Sequence, residues 1–437
     1  MSRFLLTCLL GVCTCVQAQD FDPSILASAQ GTYRFDDGTC VTGGRMDEDG
    51  IRLLYMDVRE NRRTLLARLE EGKLRMLVPP GGEMHVDPQG RMLTVTDADG
   101  QTHTATRVRR PEASDVRFRS GDLLLAGTLY TPSAAAKKRP AVVLAHGSGA
   151  ADRFGGTWIT FFTDLGFVVL AYDKRGVGES EGDWRQASYA DLAEDLEAAV
   201  DWLSSRPGVD PARVGVHTSS QSGWYAPLAA ANNPRVRFLI QRVGPALWIG
   251  PVTAHENESD WRADGVPENE IAPASTLWRR LHELARRGGT LAEAQALIDA
   301  AADEPWFEAT FGDGWRRVDA DAWRNRQINA TLDPARTAGT LGIPVLWFLA
   351  EKDENVPYTA SLRALEQAAR GDDADITVVT IRDAPHSFLI KQPDGSVRYT
   401  DHYWPQMAEW LDAKGFASVT QQACGLADAI KSDVCNP

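Results

Sequence analysis

A serine in a tight polar turn, then an aspartate, then a histidine, each just after an apolar run, carry the chemistry that this sequence offers. The serine lies in Val214-Gly-Val-His-Thr-Ser-Ser-Gln-Ser-Gly-Trp224. An apolar run ends near His217, and small and apolar residues resume near Gln221, the pattern of a strand turning sharply into a helix. Such a turn lifts its central side chain above a sheet, where a hydroxyl can attack an acyl carbon. Three serines compete for that place. The residues two positions away are His217 and Gln221 for Ser219, Ser220 and Trp224 for Ser222, and Thr218 and Ser222 for Ser220. Only Ser220 has no bulky neighbour at either position, and the turn demands small ones because it brings them against adjacent backbone. Neither neighbour is glycine, so the segment alone also fits a Ser-rich loop without chemistry.

A serine hydroxyl needs a base to take its proton, and the base needs an acid to orient it. The apolar run Pro344-Val-Leu-Trp-Phe-Leu-Ala reads as a buried strand and ends in Glu-Lys-Asp353, which makes Asp353 the expected acid; Glu351 and Glu354 are its competitors. After the next apolar run comes Asp383-Ala-Pro-His-Ser-Phe388. His386 lies there in a loop from which a base can reach over the serine. It is the only one of the 8 histidines so placed, and His402, in a later helix-leading segment, is the second choice. Upstream, His146-Gly-Ser-Gly149 follows another apolar run. In this architecture the loop there supplies one oxyanion-hole amide and the residue after the nucleophile the other. Ser148 and Gln221 are the expected donors, each worth ~3–4 kcal/mol of transition-state stabilisation. His146 reads as a residue that shapes this loop rather than as the base.

These residues need a scaffold that brings strand ends together. Over 113–244 and 336–418, apolar runs at 123–130, 141–146, 167–172, 214–217, 236–240, 345–349 and 376–381 alternate with helical patterns. One helix places Leu192, Leu196, Ala199, Val200 and Leu203 on a single face,. Near-continuous apolar strands with helical crossovers predict a mostly parallel sheet covered on both faces. The alternation breaks over 245–335, where helices are expected at 277–287 and 291–302. Six of the 13 tryptophans fall in this stretch, so it should hold a core of its own. Its place between two strands predicts a helical cap over the strand ends, with most of the aromatics in the cap core and some lining the substrate pocket. Residues 19–112 read as a small β-rich accessory domain, with strand-like runs at 51–58, 64–69 and 92–96 and hairpin signals at Asp49-Gly50 and Asp99-Gly100,. No catalytic constellation occurs there.

Bulk properties narrow the partners. A chain of 437 residues exceeds one ordinary core of ~250–300 residues,. Its formal net charge of −14 disfavours nucleic acid and anionic membrane. Arg3, the apolar stretch from Phe4 to Val16, and Ala18 before Gln19 predict a signal peptide over 1–18, cleaved after Ala18. The mature chain is then expected to be secreted or periplasmic, without a membrane span. An uncleaved anchor is the alternative. Neither Val12 nor Thr14 is the small residue that should precede a lipoprotein cysteine. Cys8, Cys13 and Cys15 would leave with the signal. Cys424 and Cys435 are expected to pair and staple the tail, 419–437, which leaves Cys40 unpaired. No C-x-x-C occurs and no Cys/His cluster has zinc spacing, so neither metal nor cofactor is expected.

From Asp115 to Phe416 the chain resembles the serine α/β hydrolases of the acyl-esterase and prolyl-oligopeptidase-like branch. The resemblance rests on Leu125-Ala-Gly-Thr-Leu-Tyr130, His146-Gly-Ser-Gly149, Tyr172-Asp-Lys-Arg-Gly-Val-Gly-Glu-Ser180, Ser220-Gln-Ser-Gly-Trp224, Asp353 before Val356-Pro357, and Pro385-His386-Ser-Phe388. It implies an α/β-hydrolase fold with Ser220, Asp353 and His386 as the triad and a small or acylated substrate. Relatives carry glycine at the positions of Ser222 and, usually, Thr218. Asp173 and Arg175 read as a pair bracing their loop. The expected reaction is cleavage of a carboxylic ester, because no acidic or basic pair for a peptide terminus is evident. A prolyl-oligopeptidase-type peptidase, a thioesterase, and a non-catalytic binding protein that kept the fold are the alternatives.

Overall fold

The computed structural model describes residues 26–418, apart from residue 27 and the segments 48–50, 59–62, 72, 79–80, 134–137 and 394–396. The expected signal peptide, the Cys424/Cys435 tail and the Asp49-Gly50 turn lie outside the described residues.

Eight short strands form the N-terminal region: β1 (Gly31–Phe35), β2 (Cys40–Asp47), β3 (Ile51–Met56), β4 (Thr64–Glu70), β5 (Lys73–Met76), β6 (Glu83–Val86), β7 (Met92–Thr96) and β8 (Thr102–Arg109). Each pairs antiparallel with the next, and β8 returns to β1 through a ladder from Thr32↔Arg109 to Phe35↔Ala105, closing a barrel. Period-two alternation turns Leu65 and Ala67 of β4 and Leu93 and Val95 of β7 inward. Tyr33, Leu53, Tyr55 and Leu93 fill the interior. The Tyr33 and Tyr55 rings meet edge to face at 5.5 Å, and both hydroxyls donate to the Ala29 carbonyl. Cys40 corrects its expectation: it is disulfide-bonded, and the other half of the bond lies outside the described residues.

The second region is an open sheet of β9 (Glu112–Ser120), β10 (Leu123–Thr131), β11 (Arg139–Leu144), β12 (Val168–Tyr172), β13 (Val209–Ser219), β14 (Phe238–Arg242), β15 (Pro344–Ala350) and β16 (Asp375–Ile381). The order is β16-β15-β14-β13-β11-β12-β10-β9, with β11 to β16 mutually parallel and β9 and β10 antiparallel at one edge. The apolar runs seen in the sequence become these strands with ends moved by a few residues. Helices α1 (Gly156–Asp164), α2 (Tyr189–Ser204) and α3 (Ser222–Asn232) cross between them. Helix α2 starts in a capping box between Ser188 and Asp191, and Leu192, Leu196, Ala199, Val200 and Leu203 are all buried.

Between β14 and β15 the chain runs through α4 (Ile249–Ala263), α5 (Glu268–Arg286), α6 (Leu291–Asp299), α7 (Pro305–Thr310), α8 (Ala320–Asn329) and α9 (Pro334–Ala338). This insertion has a separate core in which Trp261 and Trp323 are buried, while Trp248, Trp278, Trp306 and Trp315 pack against it partly exposed. Helix α10 (Tyr358–Ala368) leads into β16. The chain then forms a hairpin of β17 (Leu389–Lys391) and β18 (Val397–Tyr399) and ends the described region with α11 (Tyr403–Ala413).

The barrel sits on α1. Gln30 Nε2 donates to the Gly156 carbonyl at 2.9 Å, and Thr160 Oγ1 donates to the Gly43 carbonyl at 3.1 Å. Thr32 Oγ1 donates to Asp164 at 2.6 Å, and Arg45 lies 3.6 Å over the Phe154 ring. Among the described residues no helix is long and apolar enough to cross a membrane.

Candidate active site

The parallel strands release their loops at one end of the sheet, and the residues singled out in the sequence gather there. Ser220 follows β13 directly, and α3 begins two residues later. Its φ of +51° is in the left-handed region that a non-glycine residue occupies at a cost of about 1–3 kcal/mol,. The turn is held by the Ser220 amide donating to the Arg242 carbonyl at 3.0 Å and the Gly223 amide donating to the Ser220 carbonyl at 2.8 Å. The other two serines are engaged elsewhere. Ser219 Oγ accepts from Arg242 Nη1 at 3.0 Å. Ser222 is fully buried, and its hydroxyl bonds the backbone of Ser219.

The two non-glycine neighbours fit. Thr218 is buried and donates its hydroxyl to Gln241 Oε1. The close backbone approach falls one residue further on, at Gly223, where a Cβ would stand 2.5 Å from the Gly244 Cα. Gly223, rather than position 222, is where this elbow cannot carry a side chain.

His386 lies between Ser220 and Asp353. Its Nδ1 is 2.8 Å from Asp353 Oδ1 and its Nε2 is 2.9 Å from Ser220 Oγ. A carboxylate only accepts, so Nδ1 carries the proton and Nε2 is the acceptor facing the serine hydroxyl. Asp353 Oδ1 also accepts the amides of Asn355 and Val356, which fixes the carboxylate at the end of β15. The two competing glutamates brace the histidine loop: Glu351 accepts the Asp383 amide and Glu354 accepts the His386 amide, both at 3.0 Å. His402 is exposed at the start of α11.

The His146-Gly-Ser-Gly149 loop lies over the elbow. A Cβ on Gly147 would be 3.5 Å from the Ser219 carbonyl and 3.8 Å from the Ser220 Cβ. Among the described residues the amides of Ser148 and Gln221 donate to no other backbone carbonyl outside regular elements. His146 shapes the loop: its Nε2 donates to the Tyr172 carbonyl and its own carbonyl accepts from Tyr225. Burial pushes His146 down to about 4.

One expectation is corrected. Asp173 and Arg175 do not pair with each other, because each is engaged by a buried partner from another part of the fold. Asp173 binds Arg153 at 2.6 Å and Arg175 binds Asp195 at 2.7 Å.

The sequence reading missed four contributors. Arg242, at the end of β14, donates to the Ser387 carbonyl at 2.7 Å and to Tyr399 Oη at 3.0 Å, joining the elbow to the histidine loop. Lys174 Nζ donates to the carbonyls of Gly147 and Gly149 and to Gln221 Oε1. From the insertion, His255 Nε2 donates to the Asp353 carbonyl at 3.0 Å. The adjoining Glu256 carboxyl is within electrostatic reach of His386 and Asp353; burial holds it above the ordinary carboxylate range, and Asp260 adds to the effect. Only Lys174 had a visible signal, in the Tyr172-Asp-Lys-Arg motif.

Fold and site together define a serine hydrolase of the α/β-hydrolase superfamily. Residues 120–387 match the model of the X-Pro dipeptidyl-peptidases (S15 family), more than half of the chain, and the chain belongs to that family. It is similar to the thiohydrolase AneE of Aspergillus aculeatus, 39% identical over 130 residues, 29% of this chain and 40% of that protein. The quorum-quenching protein AidA of Acinetobacter baumannii is 33% identical over 130 residues, 29% and 42% of the two chains. The chain spans about two fifths of the length of the first curated relatives it matches. Among solved structures, an acylaminoacyl peptidase of Pyrococcus horikoshii aligns with a TM-score of 0.47 at 16% identity, over 88% of this chain and 50% of that one. An esterase of Pyrococcus furiosus aligns with a TM-score of 0.45 at 17% identity, over 70% and 92%.

Proposed function

We propose that the chain cleaves a carboxylic ester of a small or acylated substrate through an acyl-enzyme on Ser220. The observation that carries this reading is the continuous relay from Ser220 Oγ through His386 to Asp353. His386 Nε2 takes the hydroxyl proton as Oγ attacks the acyl carbon. Asp353 holds the tautomer and stabilises the imidazolium. The oxygen of the tetrahedral intermediate is received by the Ser148 and Gln221 amides. His386 returns its proton to the leaving alkoxide, and a water activated by the same nitrogen releases the acid. No residue in this sequence of steps calls for a metal or cofactor.

The barrel is assigned as an accessory domain and the insertion as a cap over the strand ends, a reading supported by the His255 contact with Asp353. The N-terminal residues support export to the periplasm or beyond, an assignment that rests on sequence alone. Against a degenerate binding protein stand the accommodated Thr218 and Ser222 side chains.

A second reading has its own observation. Glu256 places a carboxyl within electrostatic reach of His386, an acceptor for the amine of a peptide substrate, and the family is that of the X-Pro dipeptidyl-peptidases. A thioester, as the name of one relative suggests, would use the same steps with a thiolate leaving group. A panel of nitrophenyl esters of graded acyl length, a thioester, and Pro- and Ala-nitroanilides, run with wild type and Ser220→Ala side by side, separates these. The ester reading expects turnover on the esters and loss of it in the variant. Efficient Pro-nitroanilide cleavage with negligible esterase activity would replace it.

A further inference from the structure

The reading of Ser220 as nucleophile leaves a buried charge beside the elbow without a role. Lys174 is 1% exposed, and a buried ammonium is expensive to hold, as its depression to about 8 by burial reflects,. Its three protons have three acceptors: the Gly147 carbonyl at 2.9 Å, the Gly149 carbonyl at 3.1 Å and Gln221 Oε1 at 2.7 Å. The choice of acceptors is informative. A trans peptide bond points its C=O and N–H in opposite directions within one plane. The Gly147 carbonyl and the Ser148 amide share such a plane, so anchoring the oxygen fixes the direction of the N–H. Gln221 carries the second amide on its own backbone, and its side chain is the third acceptor. Tyr189, stacked on Trp224, packs on the same helix start. A single ammonium thus joins the two halves of the proposed oxyanion hole, which come from loops 73 residues apart in the chain.

We propose that Lys174 is the positioning residue of the oxyanion hole, tying the Gly147–Ser148 peptide to Gln221 so that both amides converge on the tetrahedral oxygen. It touches no reacting atom, and its charge lies behind the Ser148 donor, where it also favours the developing oxyanion. The proposal rests on the serine-hydrolase reading of the site and would fall with it. Two amides aimed in advance of the reaction stabilise the transition state more than the substrate, whose carbonyl carries little charge. The signature is therefore a fall in kcat with KM little changed.

The test is a nitrophenyl ester assay on the full-length protein with Lys174→Met, Gln221→Met, the double variant and Ser220→Ala. Binding of a trifluoromethyl ketone, which forms a hemiketal oxyanion on the serine, is measured alongside binding of the uncharged alcohol product. Lys174→Met is expected to lower kcat by about 100-fold, the scale of one lost oxyanion donor. KM should stay within about threefold, and ketone affinity should fall with kcat while product affinity holds. Gln221→Met keeps its backbone amide and is expected to lose less, with the double variant no worse than Lys174→Met. A Lys174→Met enzyme with kcat within about threefold of wild type, beside an inactive Ser220→Ala, overturns the proposal alone. Equal losses of ketone and product affinity would also overturn it. If Lys174→Met does not fold, Gln221→Met decides: unchanged kcat and ketone affinity count against the tether. Full activity in Ser220→Ala would instead overturn the underlying reading.

Discussion

The barrel and the open sheet are both β-structures with filled cores, yet the candidate site sits on only one of them. In the barrel, antiparallel strands joined by short turns send their ends to both rims, and the interior is packed with Tyr33, Leu53 and Tyr55. In the open sheet, six parallel strands release their loops on the same side. Ser220, Asp353 and His386 come from the ends of β13, β15 and β16, and meet although up to 166 residues separate them. Parallel strands concentrate loops, and concentrated loops are what a relay needs. The barrel touches this region through α1, the helix that follows the His146-Gly-Ser-Gly149 loop.

This contrast is open to experiment. The sharpest break would come from Ser220→Ala, for which we expect turnover to fall on the order of 10⁶-fold with the thermal midpoint unchanged; residual activity near wild type would move the chemistry elsewhere. Asp353→Asn should cost ~10⁴-fold, because the amide favours the wrong histidine tautomer; steady-state kinetics on the same ester measures it. In the barrel, Leu53→Ala should leave kcat intact but remove ~2–5 kcal/mol of stability, read by chemical denaturation. A parallel loss of kcat in the folded variant would tie the barrel to catalysis.

The smallest effect lies at the junction. Burial lifts Asp164 to about 6, against the Thr32 hydroxyl and the Arg109 guanidinium, which pull it down. The folded protein therefore holds this proton more tightly than the unfolded chain. The stabilisation is complete below the ordinary aspartate value of about 3.8 and is lost as pH rises through about 6,. Asp164→Asn should remove this component, on the order of 2 kcal/mol between pH 4 and 7. Unfolding curves across that range that show the same slope for both proteins would contradict it.

Much of the sheet was legible because buried parallel strands write themselves as continuous apolar runs. The relay was legible because each member follows such a run. What stayed hidden depends on contacts across the fold. Barrel closure rests on pairing residues 32–35 with 105–109, which no local turn announces. The elbow's missing glycines misdirected attention, since the tight contact is at Gly223 against Gly244. Arg242 reads as an ordinary charge, and Lys174 as one residue of a motif, until the fold places loop carbonyls around them. Asp173 and Arg175, close in sequence, found partners 20 residues away on either side.

The most direct test of the account is the site of labelling by a fluorophosphonate on the folded protein, mapped by mass spectrometry of the peptide spanning Ser219, Ser220 and Ser222. We predict one adduct per chain, on Ser220, and none in Ser220→Ala. An adduct on Ser219 or Ser222, undiminished labelling of the variant, or an unlabelled folded wild type would contradict it.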